Sequence, residues 1–216
     1  MQQKRNTVQV YFIAYLISFY FIWVVKELCF IQHIGTFSTH TVPFEAALLK
    51  IVIWVIPACF FIKYILHENP ITYMRLNSNV IRGWVWGTFL SLLLGLRFVM
   101  EVYIVKNTSF NFNLHLNAYL NTVIIAGFAE EIVFRGFILK ELNKRFSFWK
   151  ANIITTFLFL FIHYPAWAYT GELFNLWNNI YIYLLGLLLG YVFKETKSLW
   201  TVILLHSFHN LFVIIS

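Results

Sequence analysis

Aspartate is absent from this chain, and charge of any kind is scarce: Asp, Glu, Lys and Arg together make up 12% of its 216 residues. Every acidic side chain is therefore a glutamate. With 60% hydrophobic residues, 20% aromatics and a mean hydropathy of +0.72, such poverty of charge excludes an ordinary soluble domain, which could not bury so much apolar surface. Cysteine is nearly missing too. Cys29 and Cys59 lie in or beside apolar runs, which excludes a disulfide framework and a cysteine-based metal cluster. Basic tracts are also lacking: the net charge of +7 is spread between apolar runs, a pattern of membrane topology and not of nucleic-acid binding. No internal repeat and no low-complexity segment is evident.

What is present is a series of long apolar stretches. A helix needs about 20 apolar residues to cross the hydrocarbon core. Seven stretches approach that length: 8–26, 44–66, 83–105, 117–140, 149–169, 177–194 and 198–215. The connections carry Gly35 and Pro43, Asn69-Pro70, the polar run Lys106 to Asn113, and Gly171. The first stretch outruns a signal-peptide core and has no small-residue cleavage site after it, so it reads as a retained helix. The expected fold is all-α, a polytopic transmembrane bundle forming one domain over 1–216, with its chemistry in 117–215. An eighth span or a re-entrant segment near 27–45 or 70–82 would alter local details only.

Lys and Arg set the orientation. With the N-terminus in the cytoplasm, eleven of the 16 fall at cytoplasmic ends and loops, and only Lys26 and Lys106 on the other side. Lys50, Arg97 and Arg135 fall within spans. This bias predicts an N-in, C-out chain in the cell membrane.

Charge inside a span costs roughly 2.5–3.5 kcal/mol per residue on insertion scales, so intramembrane ionisable groups suggest function. They concentrate in "FAEEIVFRGF" (Phe128 to Phe137), at His163, and in "HSFHN" (His206 to Asn210). Lys50, Arg97 and Glu101 lie near enough to span ends to snorkel, and Arg97 and Glu101 can pair at i and i+4. Glu131 and Arg135 have the same spacing, with Glu on the favourable N-terminal side, and read as an internal brace. Glu130 points about 100° away and has no opposite charge at i±3 or i±4. It reads as a carboxylate free to act as general base. The alternative is a buried network of all three charges that merely braces the bundle.

Depth along the helices separates these readings. At about 1.5 Å per residue, Glu130 lies about 15 Å from Lys140, His163 about 20 Å from Lys150, and His206 about 13 Å from Lys197. Carboxylate and imidazoles thus meet at a similar level, expected nearer the cytoplasmic half. Such a set suits water activation: Glu130 takes the proton, His163 orients the water, and His206 with Asn210 donates to the oxyanion. No Ser or Cys nucleophile is well placed, since Ser207 faces about 100° away from His206. Water held by Glu and His alone and water bound to a zinc on Glu130, His163 and His206 both remain open on ligand type.

Three motifs carry a resemblance. "EEIVFR" (Glu130 to Arg135), "FLFIH" (Phe159 to His163) and "HSFHN" (His206 to Asn210) match Glu-Glu-x-x-x-Arg, Phe-x-x-x-His and His-x-x-x-Asn, in that order, on three late helices. The set resembles the CAAX-protease and bacteriocin-processing (Abi) family of intramembrane endopeptidases, and the short loops look like a bacterial member. The resemblance implies a polar cavity opening toward the cytoplasm, a glutamate-dependent and metal-free hydrolysis, and a peptide or membrane-protein substrate. It also implies a role in bacteriocin processing, self-immunity or peptide signalling. Two readings from other classes compete with it. One is a non-catalytic membrane immunity or scaffold protein, and the other a small transporter or proton relay.

Overall fold

The computed structural model describes residues 2–30 and 42–216, with side chains for 6–29 and 43–216. Among them the chain is helical, with no strand. Five helices are long and apolar enough to cross a membrane: α1 (Asn6–Cys29), α2 (Pro43–Ile65), α4 (Val80–Val105), α6 (Phe148–Thr170) and α7 (Leu176–Thr196). Between them lie the short α3 (Pro70–Tyr73), capped by the Asn69 side chain, and α5 (118–143). The last helix, α8 (Leu199–Ile215), is shorter. Each apolar stretch of the sequence falls on one helix to within a few residues, and five of the seven helices have the length and hydropathy to span. Segment 31–41, where a re-entrant turn was conceivable, lies outside the described residues. At 70–82 lie α3, an irregular link and the first turn of α4.

In lipid, the helices gain nothing by hiding hydrocarbon from hydrocarbon, so close packing and hydrogen bonds must hold them together. Both devices are visible. On α4 the small residues Gly83, Gly87, Ser91 and Gly95 recur every fourth position and are all buried. They let α8 approach so closely that a β-carbon on Gly87 would sit 3.2 Å from the Thr201 carbonyl. Facing the other side of the bundle, aromatic rings fill the space between α1, α2, α5 and α6. Phe19 and Trp23 meet Trp54 edge-to-face at 5.0 and 4.8 Å, and Phe134 meets Phe159 at 5.2 Å.

α5 is the axis of the assembly. From Ala126 to Leu139 all residues but Phe128 are buried, whereas the long apolar helices expose Ile17, Phe21, Leu92 and Leu96 to lipid. The charged helix is thus wrapped by the apolar ones, which removes its glutamates from lipid. α6 is broken at its centre: Phe148–Phe161 and Tyr164–Thr170 are separate helical pieces with His163 between them. Pro165 explains the break, because it cannot donate to the Phe161 carbonyl one turn back. α1 is pinned to this irregular stretch by Tyr20, whose hydroxyl donates to the Leu158 carbonyl at 2.5 Å, and Trp23, whose indole donates to the Ile162 carbonyl at 2.9 Å.

The helices run so that one end of the bundle gathers the basic connections, residues 63–82, 140–150 and 194–200. The opposite end gathers the C-terminal parts of α1, α6 and α8 with the N-terminal parts of α2, α5 and α7. Asn121 of α5 donates to the Pro43 carbonyl at the head of α2, and Tyr181 of α7 reaches His209 of α8 at that end.

Candidate active site

Within α5, Ala126–Glu131 is wound as an α-helix between wider turns on both sides. This winding sends Glu130 and Glu131 to different neighbours. Glu131 Oε1 accepts from Arg135 Nη1 at 2.8 Å and lies 2.7 Å from His206 Nδ1. Arg135 is only 1% exposed; its other arm donates to the Gly186 carbonyl at 3.1 Å, and its guanidinium lies over the Phe159 ring at 4.5 Å. One charged pair therefore links α5, α6, α7 and α8. Since a carboxylate can only accept, His206 donates from Nδ1 and presents Nε2 on its other side.

Glu130 faces a cavity of about 360 Å³. His163, His206 and Asn210 line the same cavity, as do Trp23, Lys50 and Thr122. The four residues singled out for water activation are brought together. Glu130 Oε2 lies 3.9 Å from His206 Nε2, too far for a direct hydrogen bond and suited to a water bonded to both. His163 Nδ1 donates to the Phe159 carbonyl at 3.0 Å, which leaves its Nε2 as an acceptor. Asn210 is fixed from two sides: its amide nitrogen donates to the Thr122 carbonyl at 2.8 Å, and its oxygen accepts from His209 Nδ1 at 3.1 Å. His209 in turn accepts from the Tyr181 hydroxyl at 2.7 Å. Ser207 is not among the lining residues; it packs against Gly127, where an added β-carbon would lie 2.2 Å from its hydroxyl.

Two expectations need correction. Glu130 is not free of ion pairs, because Lys50 of α2 binds its Oε1 at 2.7 Å. Lys50 does not snorkel; its ammonium is drawn into the cavity against the Trp54 and Trp23 rings, 4.9 and 5.7 Å from their centres. Helix spacing could not show this, because the partner sits 80 positions away on another helix. The second correction concerns the cavity's place. Its walls include Lys26, Glu27, Ala46 and Asn121, all at the end of the bundle away from the basic connections. It does not lie toward the lysine-rich, expected cytoplasmic side. The depth of His163, about 20 Å from Lys150 in a core about 30 Å thick, already lies beyond the midplane. Arg97 and Glu101 pair at 2.8 Å on the surface of α4, as their spacing indicates.

The donor set does not fit zinc. Among the described residues, no three His, Cys, Asp or Glu side chains are grouped to hold one metal. Glu130 Oε1 carries the Lys50 ammonium at 2.7 Å, and that charge opposes a second cation at Oε2.

Residues 112–212 match the family model described as Type II CAAX prenyl endopeptidase Rce1-like. This region is similar to that family. The Rce1-like region spans just under half of the chain and contains Glu130, His163, His206 and Asn210; Trp23 and Lys50 come from outside it. No curated protein and no solved structure matches the chain. The match agrees with the wider CAAX-protease and bacteriocin-processing resemblance and, with the apolar helices, indicates a multi-pass membrane protein. Rce1-like proteins are endopeptidases, so the family suggests an intramembrane endopeptidase acting on a peptide substrate.

Proposed function

We propose that this protein cleaves peptide bonds of a peptide or membrane-associated protein with a water activated by Glu130. The observation that supports this most is the gap of 3.9 Å between Glu130 Oε2 and His206 Nε2, inside a cavity shared with His163 and Asn210. A water in that gap donates one hydrogen to Oε2, which takes the proton as the water attacks the carbonyl; its second hydrogen goes to an imidazole acceptor, His206 Nε2 or His163 Nε2, which orients it. The hydrogen-bond pattern refines the part of His206. Its Nδ1 proton is committed to Glu131, so Nε2 has no hydrogen to offer an oxyanion in the resting tautomer. It becomes a donor once the proton taken from water passes from Glu130 to Nε2. It can then stabilise the tetrahedral oxyanion or protonate the leaving amine. Asn210 keeps one N–H beyond its bond to Thr122, and this is the second oxyanion donor. Glu131 and Arg135 act through His206, as positioning residues.

On the charge bias of the connections the chain is N-in and C-out, and the cavity then faces the extracytoplasmic side. Bacteriocin maturation, self-immunity and peptide signalling are the processes that the family resemblance attaches to such an activity.

The test compares membrane peptidomes of cells carrying the wild-type protein or Glu130→Ala at equal abundance. Paired fragments with new termini should appear only with the wild type. Identical peptidomes would overturn the peptidase reading in favour of a non-catalytic scaffold.

Lys50 also has a part. By holding Oε1 it turns Oε2 toward His206 and the water. In Lys50→Met, turnover of a peptide found by that comparison should fall at least about tenfold, the scale of a lost charged hydrogen bond in a buried site. KM should change less than twofold, and Lys50→Arg should recover most of the rate. A change confined to KM, or no rescue by arginine, would argue against this positioning role.

A further inference from the structure

A second polar cavity, of about 340 Å³, lies at the basic end of the bundle, remote from the glutamates. Five cations from three separate connections line it: Arg75, Lys140, Lys144, Lys194 and Lys197. No acidic residue lines it. The nearest carboxylates are turned elsewhere. Glu141 is buried and accepts from the Tyr73 hydroxyl, whose ionisation is pushed well up by burial and by that carboxylate. Lys144 is shared between Glu141 at 2.6 Å and Glu68 at 4.0 Å, and Lys194 has Glu195 at 3.4 Å. Among the described residues, Arg75, Lys140 and Lys197 have no carboxylate within 4 Å. Lys140 rests instead on the Tyr73 carbonyl and ring, and Arg75 lies 5.6 Å from the Phe193 ring centre.

Loose surface cations would spread apart in water, since like charges repel and long side chains gain entropy by doing so. Here they converge on one concavity. Arg75 and Lys197 do so from left-handed backbone, at φ 61° and 55°, which is uncommon for residues other than glycine and asparagine. We propose that this cavity binds a phosphate group, in the form of an anionic phospholipid headgroup. Phosphate oxygens accept several charge-assisted hydrogen bonds at once and offset the mutual repulsion of the cations. The lipid source is favoured by two features. Leu139, Phe148 and Phe193 form an apolar part of the wall, suited to the glycerol and upper acyl carbons. The exposed Trp149 next to Phe148, and Trp84 at the same end, mark the level of the membrane interface, where lipid phosphates lie.

The test uses the purified full chain in nanodiscs of equal phosphatidylcholine and phosphatidylglycerol, with retained lipid counted by native mass spectrometry. Wild-type protein should retain phosphatidylglycerol at least about tenfold over phosphatidylcholine. Each neutralised cation should lower that preference roughly fivefold. Arg75→Gln with Lys197→Gln should therefore bring it near parity, while Arg75→Lys with Lys197→Arg keeps it. A second arm titrates inorganic phosphate into phosphatidylcholine-only discs. Saturable phosphate binding that the Gln variant abolishes, without a lipid preference, keeps the phosphate site and assigns it to a soluble ligand. Neither lipid preference nor phosphate binding in the wild type overturns the proposal. So does a preference unchanged in a Gln variant of normal helicity.

Discussion

Replacing Glu130 with glutamine is expected to lower the cleavage rate by about 10²–10⁴-fold, the usual contribution of a general base. The amide has nearly the same shape and still offers an oxygen to the Lys50 ammonium, which sits 2.7 Å from Oε1 in the wild-type chain. What it loses is the capacity to take a proton at the Oε2 position, beside His206. Binding of substrate depends on the cavity as a whole, so the loss should appear in kcat with KM little changed. Reconstituted protein and a peptide identified from the wild-type peptidome suffice for the measurement. A Glu130→Gln enzyme within tenfold of wild type would remove Glu130 from the chemistry.

The second large effect concerns stability. Arg135→Met should destabilise the protein by about 3–5 kcal/mol, because it strands a buried carboxylate. The Glu131 side chain is 0% exposed and the Arg135 side chain 1%. With the arginine removed, Glu131 keeps only His206, and the tie from α5 to the Gly186 carbonyl on α7 is lost. Neutralising the glutamate as well, in Glu131→Gln with Arg135→Met, should recover a good part of the loss, as expected for coupled neighbours. Equilibrium unfolding in mixed micelles reads both variants. A single variant within about 1 kcal/mol of wild type would show that the pair is not a brace.

The contrast between these two glutamates shows what one sequence can reveal. Helix positions are legible because hydropathy alone sets them in lipid: the stretch 149–169, for example, is α6 (Phe148–Thr170). The Glu131–Arg135 contact is legible because both ends lie on one helix at a spacing that dictates their meeting. Lys50 is not, because its bond to Glu130 joins two helices and depends on their relative rotation and packing. The chain from Tyr181 through His209 and Asn210 to the Thr122 carbonyl is hidden for the same reason. It joins α7, α8 and α5, and only the His-x-x-x-Asn spacing hinted at it. The break at His163 had a visible signal in Pro165, two residues on, which removes one backbone donor. The end of the bundle at which the cavity lies is not legible from depths counted from lysines on one side only.

The most direct measurement of Glu130's role is a single turnover in water enriched in ¹⁸O, with the product peptide and the Glu130-containing peptide of the protein both weighed. Direct attack by a Glu130-activated water forms the new C–O bond of a tetrahedral intermediate, whose collapse breaks the C–N bond as the amine is protonated. The expected result is one ¹⁸O in the new product carboxylate and none in the protein. Label in the Glu130 carboxylate with an unlabelled product would show that Glu130 attacks the carbonyl itself, and would contradict its role as a base.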